Sequence, residues 1–189
     1  MSYIRLSSGG HFDFKHPMSS EFSIKDIALG LSRINRFLGQ TRVPYSVARH
    51  SVNASYLVPQ EQALAALLHD AAEAFLGDVP TPLKAALGNT FKDLEFRVET
   101  TVFMRLGVHP YTAEIKYADL VLLATEREWL LDNDPGEDWP VLAGIKPLID
   151  EDFSVAWDKF RIGGNDSPEL AYQDFLERFA ELTGAKKHV

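Results

Sequence analysis

Three ionisable side chains, His69, Asp70 and Glu73, stand close together in a stretch that otherwise has the pattern of a buried helix. The stretch is LAALLHDAAEAFLGDVPTPLK, and alanines surround the three polar positions. At about 100° per residue, the three side chains share one face of the helix, opposite the leucines. Burying a carboxylate without a partner costs several kcal/mol. This face is therefore either an ordinary solvated one or the site of a compensating cation.

Two other predicted helices present groups of the same chemical kind. Asp119 projects from the apolar face of a helix predicted over 110–130, and Glu126 lies on that face two turns further on. An acid on a buried face needs a partner, and the alternative to a metal there is a salt bridge with an arginine. His50 lies on the flank of a helix predicted over 44–58. A lone histidine in that position is more often a satisfied core residue than a ligand.

These side chains together form a mixed set of nitrogen and oxygen donors. Such a set suits a divalent ion such as Mn, Fe, Co, Ni or Zn. Four protein ligands without a thiolate leave coordination positions open for water and substrate, as catalysis requires. The candidate metal ligands are His50, His69, Asp70 and Asp119.

The elements that must position these residues are almost all helices. Ser23 and Asp26 form a capping-box pattern, and apolar residues at helical spacing follow from Ile24 to Leu38. Prolines after Gly77 predict that the chain leaves the helix at GDVPTPLK. An alternating segment around SSGG predicts a small β-hairpin. The fold class is an all-α bundle of about six to seven helices with a small N-terminal β-hairpin. The predicted helices occupy residues 24–38, 44–58, 59–77, 91–106, 110–130, 153–160 and 167–184.

Length and composition indicate one globular domain over residues 1–189. The lack of cysteine excludes disulfides and thiolate metal sites. The sequence contains no run of about 18 apolar residues, so no transmembrane helix is expected. The N-terminus lacks a secretory signal pattern, and a cytoplasmic location is expected. The formal net charge of −8 disfavours a broad electrostatic contact with nucleic acid, but it allows a small anionic substrate held by local cations.

Four segments, in their order along the chain, resemble the HD-domain metal-dependent phosphohydrolases. The segments are INRF, YSVARHS, LLHDAAEAFLGDVPTPLK and IKYAD, and the likeness spans about residues 24–125. It is closest to bacterial 5′-deoxynucleotidases and to phage dATP triphosphohydrolases of the DatZ type. A bare His-Asp pair is a weak signal, whereas four ordered segments are a strong one.

The resemblance implies a metal centre and a proton-transfer pair. It assigns the metal to the four candidate ligands named above, as one or two divalent ions drawn from Co, Mn, Zn, Mg, Ni and Fe. Glu73 would orient or activate the attacking water, and Asp78 would assist proton transfer. A metal-bound water ionises near neutral pH, so the carboxylate base needs only modest tuning.

The resemblance also implies a set of groups that bind the substrate. Arg36, Lys84 and Lys116 would hold phosphate oxygens, with Arg36 as a bidentate catalytic group and the lysines as point charges. Phe37 takes the position of a tryptophan that, in related deoxynucleotidases, crowds the ribose 2′-hydroxyl. An aromatic ring there favours a deoxyribose.

Two reactions compete within this resemblance. The preferred expectation is a phage-type dATP triphosphohydrolase, which converts dATP to deoxyadenosine and triphosphate. The alternative is a 5′-deoxynucleotidase that acts on deoxynucleoside monophosphates. Both reactions attack the phosphorus nearest the sugar, so the metal site does not separate them. Room and positive charge for the outer phosphates would separate them.

Proteins of other classes fit less well. A di-iron oxygenase on the same scaffold needs additional histidine ligands, and a non-catalytic HD binding module does not need the whole set of acids, base and cations. The expected partner is a small deoxynucleotide rather than a nucleic-acid polymer or a membrane. Relatives imply a homo-oligomer, a dimer or a hexamer, located in the host cytoplasm if a phage encodes the protein. The remaining histidines, which lie at no ligand position, are His11, His16, His109 and His188.

Overall fold

A two-stranded hairpin precedes a helical bundle. The hairpin pairs β1 (Tyr3–Arg5) antiparallel with β2 (His11–Asp13), and Ile4 lies opposite Phe12. The expected all-α bundle with a small N-terminal hairpin is confirmed. None of the described helices combines the length and apolar character needed to cross a membrane. The residues that the computed structural model describes are 2–110, 112–132, 138–148, 160–162, 164 and 166–184.

The helices begin and end at residues with clear capping chemistry. The Ser23 hydroxyl accepts a hydrogen bond from the Asp26 amide, and the Asp26 carboxylate accepts one from the Ser23 amide, so the predicted capping box is confirmed. Gly107 and Gly184, which the sequence predicts as helix stops, adopt left-handed backbone geometry at the ends of their helices. The helix predicted over 153–160 lies outside the described residues, except at its last position. Within the described ranges the helices are α1 (Ile24–Arg33), α2 (Val47–Ala54), α3 (Ala63–Leu67), α4 (Glu73–Leu76), α5 (Thr81–Leu87), α6 (Asn89–Leu106), α7 (Ala113–Leu130) and α8 (Pro168–Thr183).

Helix α2 lies at the centre of the bundle. All of its residues are buried, and it packs against α1, α3, α7 and α8. Buried polar side chains are usually hydrogen-bonded, and Arg49, His50 and Asn53 of α2 each have at least one partner. The prediction that this helix continues to Val58 is wrong. The chain turns after Ala54 through hydrogen bonds of the i to i−3 type, which tighten the backbone and end the helix.

Helix α1 ends at Arg33, although apolar spacing predicts a helix as far as Leu38. Ile34 is extended, and Asn35 forms an isolated antiparallel bridge with Ser46. The bridge replaces the hydrogen bonds that a continuing helix would make. Leu38 is consequently 59% exposed instead of joining the apolar face of α1.

The helix predicted over 59–77 is interrupted in its middle. α3 ends at Leu67 and α4 begins at Glu73, and between them amides bond to the carbonyl three residues back. The bond from the Glu73 amide to the Asp70 carbonyl is 2.9 Å long. Residues three apart eclipse each other in this tighter geometry, so Asp70 and Glu73 lie one above the other.

The segment GDVPTPLK contains a further short helix that the sequence reasoning does not predict. The chain leaves α4 at Gly77, as expected, but α5 begins directly after Pro80. Pro82 is tolerated in the first turn of α5 because the first amides of a helix have no intrahelical partner. α7 likewise begins at Ala113, later than the predicted start at Pro110, because the Thr112 hydroxyl caps it.

Close contacts fix the turn between α3 and α4. A Cβ at Gly30 of α1 would lie 2.9 Å from the Cβ of Ala74, so glycine allows the two helices to touch. On the other side, Phe12 of the hairpin stacks on Phe75 with ring centroids 4.0 Å apart. The polar turn that precedes α4 is therefore held by packing from both sides.

The apolar stripe of α8 belongs to the core. Phe175 is fully buried, and the partly buried side chains along the stripe pack against the same main cluster. The sequence leaves open whether this stripe forms a core or an interface, and the structure places it in the core. Its other members are Tyr172, Leu176, Phe179 and Leu182.

Candidate metal centre

Two imidazoles face each other where α2 meets the turn between α3 and α4. The Nε2 atoms of His50 and His69 lie 3.3 Å apart. His50 Nδ1 donates to Glu126 Oε1 at 2.6 Å, and His69 Nδ1 donates to the Ala66 carbonyl at 2.7 Å. Because both acceptors take the Nδ1 proton, each neutral ring keeps its lone pair on Nε2. Two lone pairs at this separation need a shared cation, either a proton or a metal.

Two carboxylates join the imidazoles around the same point. Asp119 Oδ1 lies 3.4 Å from His50 Nε2. Asp70 Oδ2 lies 3.6 Å from His50 Nε2 and 3.2 Å from His69 Nε2. Ligand atoms bound at about 2.0–2.2 Å to one ion lie roughly 3–3.5 Å apart, so these spacings suit a metal.

All four predicted metal ligands are thus brought to one place. The ligand atoms of His50, His69 and Asp119 lie within 4.8 Å of one another, and this group could hold a metal ion. Asp70 adjoins both imidazoles and completes the predicted set. The donors are imidazole nitrogens and carboxylate oxygens, which suit divalent first-row metals.

Arg36 reaches the centre from the segment that follows α1. Its amide donates to the Tyr45 carbonyl at 2.9 Å, which continues the isolated bridge described above. Its Nε donates to Glu126 Oε2 at 2.7 Å, and its Nη1 lies 3.9 Å from Asp70 Oδ2. A continuing helix would turn Arg36 towards solvent. Because α1 ends at Arg33, the guanidinium instead lies buried beside the predicted ligands.

Two further carboxyl groups lie near Asp70 and have raised pKa values. Glu73 Oε2 is buried and accepts no hydrogen bond from the described residues. Burial raises the pKa of Glu73 well above its ordinary value, and the charges of Asp70 and Asp78 raise it further. Burial also raises the pKa of Asp78, although the Arg36 charge opposes this. A carboxyl group with a raised pKa is basic enough to accept a proton from water.

The electrostatics of the centre favour a positive charge between the imidazoles. Burial lowers the pKa of His50, as does the charge of Arg36, but Glu126 and Asp119 outweigh both and bring it to about 9. Burial raises the pKa of Asp119, but its hydrogen bond with His50 holds it well below the usual range. Burial raises the pKa of Glu126 as well, and Arg36 and His50 hold it below its ordinary value. The acidic groups therefore retain a cation at His50.

The two lysines predicted to bind phosphate are each paired with an acid. Lys84 Nζ lies 2.5 Å from Glu95 Oε1. Lys116 Nζ lies 2.8 Å from Asp119 Oδ2, and the Lys116 side chain is 64% exposed. Lys116 thus contacts the predicted metal ligand Asp119, whereas Lys84 contacts Glu95, which is not a predicted site residue.

Phe37 lies beside Arg36, with the guanidinium carbon 5.6 Å from the ring centroid. Phe37 and Leu38 adopt left-handed φ angles of 55° and 54°, which non-glycine residues rarely adopt. The ring of Phe37 faces that of Trp139, with centroids 6.4 Å apart. Sequence reasoning assigns no role to Trp139, because this contact joins parts of the chain that are far apart in sequence.

Two relatives show the family of the chain. It is 42% identical over 188 residues to the uncharacterized protein YfdR of Escherichia coli, and the match covers 99% of both chains. The chain belongs to the YfdR family. The uncharacterized protein RCAP_rcc00048 of Rhodobacter capsulatus is 38% identical over 159 residues, covering 77% of this chain and 81% of that protein. No protein-family model matches the chain. Neither relative's name states an activity, so the function of this YfdR-family chain is inferred from its geometry.

One residue of this YfdR-family centre receives no role from sequence reasoning. Glu126 is predicted to lie on the buried face of α7, and the salt bridge with an arginine that was the alternative to a metal is present there, with Arg36. The same carboxylate also binds His50. The signal that could identify Glu126 is its position two turns after Asp119, which puts both acids on one face of the helix.

Proposed function

We propose that the protein is a metal-dependent phosphohydrolase of the HD-domain type. It hydrolyses deoxynucleoside 5′-phosphates at the phosphorus nearest the sugar. The observation that carries the proposal is the convergence of His50, His69, Asp70 and Asp119 next to a buried Arg36. A metal held by the first four would lie within reach of a phosphate held by the arginine.

The cations of the site favour a monophosphate substrate. Among the described residues predicted to bind phosphate, Lys116 is paired with the predicted ligand Asp119 and Lys84 with Glu95, whereas Arg36 keeps its Nη groups beside Asp70. A single phosphate needs one bidentate arginine, whereas the outer phosphates of a triphosphate need further positive charge. The best-supported reaction is therefore that of a 5′-deoxynucleotidase, which releases phosphate from a deoxynucleoside monophosphate.

A second candidate, the dATP triphosphohydrolase, is favoured by Lys116. This exposed lysine is paired with Asp119. A metal held by Asp119 would compete with Lys116 for that carboxylate, and the ammonium group would then be available to an outer phosphate. The same centre would then convert dATP to deoxyadenosine and triphosphate.

The chain's own residues supply binding and proton transfer. A bound divalent ion would polarise the phosphoryl oxygen and acidify a water. Arg36 keeps its Nε on Glu126 and directs the rest of the guanidinium towards the centre, where it binds phosphate oxygens. Glu73, whose buried oxygen lacks a partner among the described residues, takes the proton of the attacking water. Asp78, with its raised pKa, delivers a proton to the leaving 5′-oxygen.

The test uses purified protein stripped with a chelator and reloaded with Mn, Co, Mg, Zn, Ni or Fe. The substrates are dAMP, dATP, AMP and ATP, and both the nucleoside and the inorganic product are identified. Phosphate from dAMP supports the nucleotidase, and triphosphate from dATP supports the second candidate. No release from any substrate with any metal contradicts the hydrolase proposal.

A matched pair of variants ties the activity to the centre. His69→Ala removes a predicted ligand, whereas His109→Ala makes the same change at an exposed position outside the site. Loss of activity in the first and full activity in the second supports the assignment. Equal activity in both variants contradicts it.

A further inference from the structure

Glu126 is a buried carboxylate with a partner for each of its oxygens. Its side chain has no exposed surface. Oε1 accepts from His50 Nδ1 at 2.6 Å, and Oε2 accepts from Arg36 Nε at 2.7 Å. Both bonds are short and charge-assisted, which makes them stronger than neutral hydrogen bonds. One carboxylate thus links a candidate metal ligand to the candidate phosphate-binding group.

We propose that Glu126 is the positioning residue of this centre: it holds His50 with Nε2 towards the metal and holds the Arg36 guanidinium towards Asp70. The inference rests on the proposed function, because it assumes a metal at His50 and a phosphate at Arg36. Glu126 touches neither one and acts through the two residues that do.

The two histidines of the centre are oriented in different ways. The Nδ1 of His69 donates to a backbone carbonyl, that of Ala66, which no substitution can remove. The Nδ1 of His50 donates to a side chain, that of Glu126. A carboxylate that accepts from Nδ1 fixes the tautomer and ring orientation of a ligating histidine and makes it a better donor. Glu126 is therefore the point at which the ligand geometry of His50 can be tested.

The bond to Arg36 gives the same carboxylate a second effect. A guanidinium that donates its Nε to Glu126 keeps its Nη groups directed away from that carboxylate, and Nη1 lies 3.9 Å from Asp70. The planar group is thus orientated before a phosphate arrives. Loss of Glu126 is expected to disturb metal binding through His50 and substrate binding through Arg36 at once.

The test is Glu126→Gln in the full chain, titrated with Co²⁺ alone. Glutamine has a similar shape but offers one acceptor oxygen, so its amide group must face the N–H of either His50 or Arg36. Co²⁺ affinity should fall roughly 10–100-fold, as found for the outer partners of metal-bound histidines. In the zinc-loaded protein, the strongly deshielded His50 Nδ1–H signal should shift upfield in proton NMR.

The matched control is Asp174→Asn, which makes the same change at an acceptor of another buried arginine, Arg49. A purely structural role for Glu126 predicts that both variants lose stability and keep wild-type Co²⁺ affinity and the wild-type His50 signal. That result would overturn the inference. Weakened affinity in Glu126→Gln together with wild-type affinity in Asp174→Asn supports it.

A conservative variant keeps the test decisive if Glu126→Gln does not fold. Glu126→Asp retains the charge and both oxygens on a shorter side chain, and it is expected to show a partial loss of Co²⁺ affinity. Wild-type affinity in folded Glu126→Asp contradicts the inference. Metal affinity and the NMR signal do not depend on turnover, so they separate failure of this inference from failure of the proposed hydrolase activity.

Discussion

Two buried arginines belong to separate charged groups around the central helix, which we call the Arg36 side and the Arg49 side, and their surroundings differ. Arg49, on α2 itself, donates to Asp166 at 3.1 Å and to Asp174 at 2.5 Å. Asp166 also accepts from the amide and hydroxyl of Ser46, which caps α2. A second arginine, Arg161, lies 3.4 Å from Asp174. In this group the positive and negative charges are equal in number.

The group around Arg36 is not balanced in this way. Its guanidinium is committed to Glu126, while Asp70 and Asp119 stand beside two imidazole lone pairs. When both imidazoles are neutral, as metal ligation requires, the carboxylates of Glu126, Asp70 and Asp119 outnumber the cations Arg36 and Lys116. A buried ion pair is structural where its charges and hydrogen bonds are complete. Where acceptors are left over, the same chemistry forms a site for a cation.

The largest effect is expected on the Arg36 side. Asp70→Ala should abolish both metal binding and hydrolysis, because Asp70 adjoins both imidazoles and the arginine. Bound metal is measured by elemental analysis after gel filtration, and activity by product release. An Asp70→Ala protein that retains turnover shows that the ligand set is wrong.

The next effect is expected on the Arg49 side, and it should be a loss of stability. Asp166→Asn leaves buried Arg49 with Asp174 as its remaining carboxylate partner and weakens the acceptor of the Ser46 cap, so the loss of unfolding free energy should be at most the roughly 3–5 kcal/mol of a broken buried ion pair. Urea denaturation measures this loss. The folded protein should still bind metal at the wild-type stoichiometry. Loss of the metal in a folded Asp166→Asn protein would contradict a purely structural role for the Arg49 side.

The pH dependence of metal affinity tests His50 on the Arg36 side. His50 in the metal-free protein has a pKa of about 9, above its ordinary value, so below that pH a metal must displace a proton. Affinity should rise as pH increases from 7 to 9, by up to about tenfold per pH unit, and then level off. Competition of Co²⁺ with a chelator at three pH values measures the rise. A flat profile contradicts the assignment of His50 as a ligand.

The smallest effect is expected at a capping box that contacts neither arginine. Ser23→Ala should cost about 1 kcal/mol of stability and leave metal affinity unchanged. Burial raises the pKa of Asp26, but hydrogen bonds from Ser23 and Ser8 outweigh it and lower the pKa. The contribution of Asp26 is therefore present above the unfolded pKa of about 4 and is lost as pH falls towards the folded one. Denaturation at pH 7 and pH 3 should show a smaller difference between these pH values in the variant than in the wild type.

Local rules predict much of the fold. The fold class, the capping box at Ser23, the hairpin and the stops at Gly107 and Gly184 follow from short-range chemistry and are confirmed. The end of α1 does not follow from local spacing, because it depends on a bridge between Asn35 and Ser46. Apolar periodicity contains no information about such a contact.

The candidate site shows the same division. Residue types and order suffice to gather His50, His69, Asp70 and Asp119 as candidate ligands, and the structure brings them together. The contact of Glu126 with both Arg36 and His50 is not predicted from local sequence, because it depends on how three separate elements pack together. The tight turn between α3 and α4 is missed as well, since an alanine-rich sequence favours a continuous helix.

A metal ion is expected to bind on the Arg36 side of α2, between the imidazoles of His50 and His69. Crystals soaked in Co²⁺ or Zn²⁺ and measured at the metal's absorption edge test it directly. One strong anomalous peak is expected about 2.0–2.2 Å from the Nε2 atoms of His50 and His69 and from an oxygen of Asp119. A map without a peak there, or with its strongest peak elsewhere on the chain, would contradict it.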